Sequence, residues 1–171
     1  GAKVNKNVER TLILFKPDSV QRALVGEILT RFERVGLRIV GTKMQAPARE
    51  HYEAHYEDIG KLKTRAGEQI FGITLDMMNK GPVIAMVLEG VEAVSLVRKL
   101  VGGTEPKSAA PGTIRGDFSH MSYGYADGEG KGIPNLIHAS GDPEEAVQEI
   151  KHWFSDDELY DYEATHEKFT R

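Results

Sequence analysis

Short apolar runs alternating with helix-period stretches, in the order β-α-β-β-α-β once intervening helices are set aside, predict an α+β chain. The expected fold is ferredoxin-like, a split βαβ with a four-stranded antiparallel sheet and two helices packed on one face. Two further observations agree. The 171 residues are 40% apolar, enough for a buried core, and no apolar stretch approaches the ~20 residues of a membrane span. No repeat or linker divides the chain, so one domain is expected over residues 8–160, with extensions at 1–7 and 161–171.

Thr11 to Phe15 is continuously apolar and rich in strand formers, as a strand covered on both faces would be. Lys16-Pro17-Asp18 stops it, because Pro donates nothing to a ladder. Val20, Leu24 and Ile28, flanked by Val25, Leu29 and Phe32, predict one amphipathic helix that Gly36 ends. Leu37 to Met44 is the second strand. Glu50–Tyr56 and Ile70–Met78 read as the intervening helices, with polar ground from Glu57 to Gln69. Val83 to Leu88 is the third strand. Ala93, Val94, Val97, Leu100 and Val101 form a helical face closed by Gly102-Gly103. From there to Gly132 the chain shows no sustained period. Asn135 to His138 is a short fourth strand. Asp142-Pro143-Glu144-Glu145 is a helix start, with a capping Asp, Pro in the first turn and acids beside it.

Charge and composition narrow the function. Twenty-two basic residues against 26 acidic give a net charge of −4, which argues against a nucleic-acid partner as the main one. The chain has no Cys, which excludes a disulfide framework, a zinc-thiolate site and a thiol nucleophile, and suits a reducing compartment. Gly1 to Asn7 is polar and lacks a signal peptide's apolar core, so a cytoplasmic protein with no membrane partner is expected.

Several motifs read as ordinary surface. Gly128-Glu129-Gly130-Lys131-Gly132 lacks P-loop spacing and reads as a flexible turn. His51 and His55 lie four apart with no third ligand, and read as a solvated helix face. The segment Pro111-Gly112-Thr113-Ile114-Arg115-Gly116-Asp117 is more telling. It sets an Arg near glycines, where backbone can approach a ligand and a guanidinium can grip phosphate.

The chain resembles the nucleoside diphosphate kinase family from about Glu9 to Leu159. The likeness rests on Lys16-Pro17-Asp18-Ser19-Val20-Gln21-Arg22, Leu24-Val25-Gly26-Glu27-Ile28, Gly81-Pro82-Val83, the segment from Pro111 to Phe118, and Asn135-Leu136-Ile137-His138-Ala139-Ser140. The resemblance implies transfer of the γ-phosphate of a nucleoside triphosphate to a nucleoside diphosphate, by a ping-pong route through a phosphohistidine. It implies His138 as nucleophile, Glu149 as its orienting carboxylate and Tyr56 as a hydroxyl beside it. It assigns Lys16, Arg98, Thr104 and Arg115 to the phosphates, and Asn135 with Lys16 to the sugar hydroxyls. Phe71, in preference to Ile70, is the expected platform for the base. Mg²⁺ is expected on the nucleotide phosphates, with no metal held by the protein alone. The partners implied are nucleoside di- and triphosphates and further copies of the chain, a hexamer in preference to a tetramer. The family usually reads His-Gly-Ser-Asp at the nucleophile, where this chain has His138-Ala139-Ser140-Gly141. Ser119 to Pro134 is longer than the usual connection. A regulatory domain that binds nucleotide without turnover, and a nucleic-acid binder, are the rival readings.

Overall fold

The computed structural model describes residues 5–171, so residues 1–4 of the N-terminal extension lie outside the described residues. The elements in chain order begin with β1 (Val8–Phe15), α1 (Pro17–Gln21), α2 (Val25–Arg34) and β2 (Arg38–Gln45). Next come α3 (Arg49–Glu53), which runs into a π-helical turn at Ala54–Ile59, then α4 (Leu62–Ala66), α5 (Glu68–Met78) and β3 (Val83–Val91). They continue with α6 (Ala93–Val101), α7 (Ile114–Phe118), α8 (Tyr123–Gly128), β4 (Ile137–Ala139), α9 (Pro143–Trp153) and α10 (Glu167–Thr170). The strands form one sheet in the order β2-β3-β1-β4, antiparallel throughout, which is the ferredoxin-like arrangement.

Strand β1 explains both layers. Its side chains alternate, so Ile13 and Phe15 join Ile28, Phe32 and Val97, while Leu12 and Leu14 join Tyr52, Leu75 and Trp153. Helices therefore cover both faces and not one. The helices set aside in counting strands bury the second face, and the Leu12–Phe15 half of β1 is continuously apolar because neither side meets water there.

Two local expectations change. The single helix expected from Val20 to Phe32 is broken at Arg22–Leu24, where Ala23 adopts φ 57°. The break re-aims the chain while Val20, Leu24, Val25 and Leu29 still pack on one core cluster. The fourth strand begins two residues late. Asn135–Ile137 is instead a γ-turn, in which Ile137 N–H donates to Asn135 O at 2.8 Å across Leu136. Leu136 has φ 75°, a backbone cost of about 1–3 kcal/mol for a side chain with a Cβ. Three anchors hold it there: its N–H donates to Asp18 Oδ2, its carbonyl accepts Lys16 N–H, both at 3.0 Å, and its side chain is fully buried.

The C-terminal residues fold back on β2. A bulge between Ile39 and Gly41 frees the Val40 carbonyl, which accepts Tyr160 N–H at 2.8 Å. Arg171 reaches Glu89 at 2.8 Å, a carboxylate it shares with Arg10 and Arg38.

Candidate active site

Register places the nucleophile. Phe15 lies opposite Ile137 and Leu14 opposite His138, so Lys16 and His138 emerge at the same end of the sheet. Helix α9 then brings a carboxylate to the histidine. Its start is fixed by Asp142, whose side chain accepts Glu145 N–H at 2.8 Å, and by Pro143 in the first turn. Glu149 sits two turns along and is turned inward, 1% exposed. Its Oε1 accepts His138 Nε2–H at 2.9 Å and the Ser140 hydroxyl at 2.8 Å. A carboxylate only accepts, so Nε2 carries the ring proton and Nδ1 keeps a free lone pair. An oriented imidazole of this kind is an activated nucleophile. The altered residues after His138 keep this frame. Ala139 pairs with Ile13, Ser140 also accepts Leu12 N–H at 3.2 Å, and Gly141 N–H donates to Glu145 Oε2 at 3.2 Å.

His138 faces a cleft of about 930 Å³ that Lys16, Tyr56, Arg98, Thr104, Arg115 and Asn135 also line. Lys16 Nζ donates to Asn135 Oδ1 at 2.7 Å, and Asn135 Nδ2 donates to Thr104 O at 3.0 Å. Burial, followed by the neighbouring Arg115 charge, lowers the Lys16 amine to about 7, against an upward pull from Asp18. Arg115 is 9% exposed and anchored by Nε to Asn135 O (3.1 Å), Nη1 to Gly102 O (3.2 Å) and Nη2 to Ile137 O (2.5 Å). Three of its five N–H groups are thus committed to backbone, and two remain for a ligand. Burial, with Arg98 adding to it, brings Arg115 down to about 10. The glycine after it does not make room for a ligand. A Cβ on Gly116 would fall 2.2 Å from Ala110 O, so the residue is small because its own loop packs there. Tyr56 has a buried hydroxyl without a partner among the described residues, its ring is 6.3 Å from that of His138, and burial pushes its ionisation far up.

Three sequence expectations are corrected here. Phe71 does not line the cleft; it packs with the Tyr52–Leu75 cluster beneath the sheet, and Lys63 lies over its ring at 6.0 Å. Ile70, one residue around helix α5 and 42% exposed, takes the cleft position. His51 and His55 are not a solvated face. His55 is 1% exposed and accepts Trp153 Nε1–H on Nδ1 at 3.0 Å, while His51 stacks on His152 at 4.0 Å and meets Trp153 edge-on at 4.3 Å. Burial holds His55 well below its ordinary range and His51 at about 4. The available signal was that His51, Tyr52, His55 and Tyr56 put four rings at helical spacing. Lastly, Gly128–Gly132 is part of a wall. Helix α8 and the turn after it contribute Tyr123, Ala126, Asp127, Gly130 and Lys131 to the cleft, opposite α5. Gly132 lies so near α5 that a Cβ would come within 3.2 Å of Ile73 and Met77.

A ferredoxin-like sheet that offers a carboxylate-oriented imidazole to a cleft of buried cations defines an enzyme for an anionic, phosphate-bearing substrate. The sequence profile described as nucleoside diphosphate kinase matches residues 9–159. Nucleoside diphosphate kinases of Borreliella burgdorferi and Pyrococcus furiosus are 43% and 48% identical to the chain, covering 94% and 91% of it and 95% and 88% of their own lengths. Among solved structures, a transition-state mimic of the Borrelia burgdorferi enzyme with bound vanadate and ADP superposes with a TM-score of 0.92. It is 41% identical, over 95% of this chain and 96% of that one. A Halobacterium salinarum nucleoside diphosphate kinase in complex with CDP gives 0.81 at 38% identity, over 95% and 98%. The chain belongs to the nucleoside diphosphate kinase family, and it is a transferase that phosphorylates nucleoside diphosphates.

Proposed function

We propose that the reaction runs by ping-pong through His138. The observation that carries this reading is the split between its two nitrogens, Nε2–H held by Glu149 and Nδ1 free in the cationic cleft. The Nδ1 lone pair attacks the γ-phosphorus of a nucleoside triphosphate. As the N–P bond forms, the bond to the β–γ bridging oxygen breaks, and the nucleoside diphosphate leaves with that electron pair. A second diphosphate then attacks the same phosphorus through a terminal oxygen, and the N–P electron pair returns to Nδ1. Throughout, Nε2 keeps its proton, and Glu149 offsets the positive charge of the phosphorylated ring.

Lys16, Arg98, Thr104 and Arg115 hold the phosphates, because phosphoryl transfer asks chiefly for positioning and charge neutralisation. Asn135 and Lys16 meet the sugar hydroxyls, Tyr56 presents its hydroxyl beside the nucleophile, and Ile70 supports the base. The carboxylates nearest the nucleophile are engaged, Glu149 by His138 and Ser140, Glu145 by Gly141 and Asp142 by its helix. Mg²⁺ enters as part of the nucleotide substrate, bound to the β- and γ-phosphates whose charge it screens. ADP and vanadate in the Borrelia relative and CDP in the Halobacterium relative support this use of the cleft. Residues 8–160 form the catalytic domain, which assembles as a homo-oligomer, a hexamer in preference to a tetramer; sedimentation measures that.

The deciding experiment supplies Mg²⁺ and γ-labelled ATP without an acceptor. The protein should take up an acid-labile, alkali-stable label and release ADP, and any nucleoside diphosphate should discharge it. His138→Ala should abolish labelling and keep nucleotide binding. Wild-type protein that binds nucleotide yet never becomes labelled would be the non-catalytic regulatory domain instead.

A further inference from the structure

Beside the nucleophile lies a histidine that the proposed transfer leaves unused. His55 sits on the π-helical turn, its ring nearly perpendicular to that of His138, with centroids 4.6 Å apart at 77°. Turns of this kind frequently mark functional sites. Trp153 Nε1–H donates to His55 Nδ1 at 3.0 Å. An indole N–H can only donate, so Nδ1 is the acceptor and the proton of the neutral ring is on Nε2. That Nε2 is buried and has no hydrogen-bond partner among the described residues. Burial, and next the nearby His138, keep the ring well below the usual histidine range and hence uncharged.

A nitrogen of His55, a nitrogen of His138 and an oxygen of Glu149 lie within 4.8 Å of one another, a spacing that suggests a metal. The hydrogen bonds exclude one. A metal needs a lone pair, and in His55 the Nδ1 pair is engaged by Trp153 while Nε2 is protonated. The same reasoning makes His55 a donor close to the Glu149 carboxylate. Glu149 Oε1 already takes His138 and Ser140, and a carboxylate has further lone pairs to offer. A buried donor left without a protein partner beside a nucleophile is one of the places where a catalytic role resides.

We propose that His55 is a positioning residue for His138: its Nε2–H completes the hydrogen bonding of Glu149, directly or through one water, when the imidazole takes up charge. Its ring at the same time fixes the plane of His138 so that Nδ1 faces the cleft. The inference rests on the phosphohistidine reading, and the experiment separates the two.

Two substitutions divide the functions of the ring. In His55→Gln the amide N–H replaces the Nε2 donor, and the acceptor for Trp153 is lost. In His55→Asn the amide oxygen replaces the Nδ1 acceptor, and the outer donor is lost. The readouts are the single-turnover rate of label formation from ATP, ADP affinity and thermal stability. His55→Gln should label within about threefold of wild type, whereas His55→Asn should label at least ~tenfold more slowly with unchanged ADP affinity. Equal losses in both variants, or a fast Asn and a slow Gln, would show a purely structural acceptor and overturn the proposal. Nitrogen NMR of histidine-labelled wild type does not depend on variants folding. It should show His55 as the Nε2–H tautomer, with that proton moving downfield on phosphorylation. An Nδ1–H tautomer, or a proton unmoved in the phosphorylated protein, overturns the proposal. Wild-type protein that never labels would defeat the phosphohistidine reading, while the resting tautomer still reports on His55.

Discussion

Nucleotide affinity should fall steeply above neutral pH, and Lys16 is the reason. Its amine titrates at about 7 in the free protein, because burial and the Arg115 charge outweigh the pull of Asp18. Asn135 accepts its Nζ–H, and the neighbouring His55 is uncharged. Phosphate binds the protonated amine, so the binding-competent fraction is about one half at pH 7, one eleventh at pH 8 and one hundredth at pH 9. The dissociation constant of ADP should therefore rise roughly fivefold from pH 7 to 8 and roughly ninefold from 8 to 9. The nucleotide does not produce this slope, since a terminal phosphate with its second ionisation near pH ~6 is already dianionic there. Titration calorimetry at constant ionic strength reads the effect directly, and Lys16→Met should bind weakly with no such slope. A wild-type dissociation constant that is flat from pH 7 to 9, or an equal slope in Lys16→Met, would refute the reasoning. Stability should move the opposite way. The folded value of about 7 lies below the unfolded 10.5, so the unfolded chain binds more protons between them. The cost of burying the charge is then complete below pH 7, shrinks as pH rises, and is gone above 10.5.

Arg115 and Arg98 should behave differently when truncated. Arg115→Ala releases three backbone carbonyls and should lower unfolding free energy by at least ~3 kcal/mol in urea, as well as turnover. Arg98→Ala should leave the melt near wild type and reduce turnover roughly a hundred- to a thousand-fold, and wild-type turnover would remove Arg98 from the site. Base selectivity should be low, because an aliphatic platform such as Ile70 separates near-isosteres by only ~10–200-fold. Steady-state rates with purine and pyrimidine diphosphates check this, and a preference of many thousand-fold would reveal a polar group reading the base.

The sheet and its central helices could be read from the chain because their signals are local. The Thr11-to-Phe15 run of β1 is an unbroken strand signal, Asp142-Pro143 announces α9, and Glu149 falls at the border of that helix's apolar stripe. The pair His138–Glu149 therefore follows from a strand end and a helix start. Other features are decided by distant partners. His51 and His55 look solvated until Trp153 and His152, about a hundred residues on, cover them. Phe71 and Ile70 differ only by one step around α5, and the core claims the larger ring. The break at Ala23 and the turn at Leu136 place ordinary side chains at positive φ, which no propensity forecasts. Helix α8 has only six residues, too few to carry a period, and the turn after it is seated by Gly132 against Ile73 and Met77 of α5.

The return of the C-terminal residues onto β2 bears on how the molecule avoids its own kind of failure. β2 is an outer strand, and outer strands offer unpaired carbonyls and amides as templates for another chain. Here the bulge at Val40 spoils a straight template, and Tyr160 occupies the carbonyl it releases. The absence of a side chain at Gly41 lets Leu159 lie against the strand, since a Cβ there would come within 2.9 Å of it. The tail thus acts as a guard on the sheet's border, and loosening it would expose an aggregation-prone edge before it disturbed the distant phosphate site.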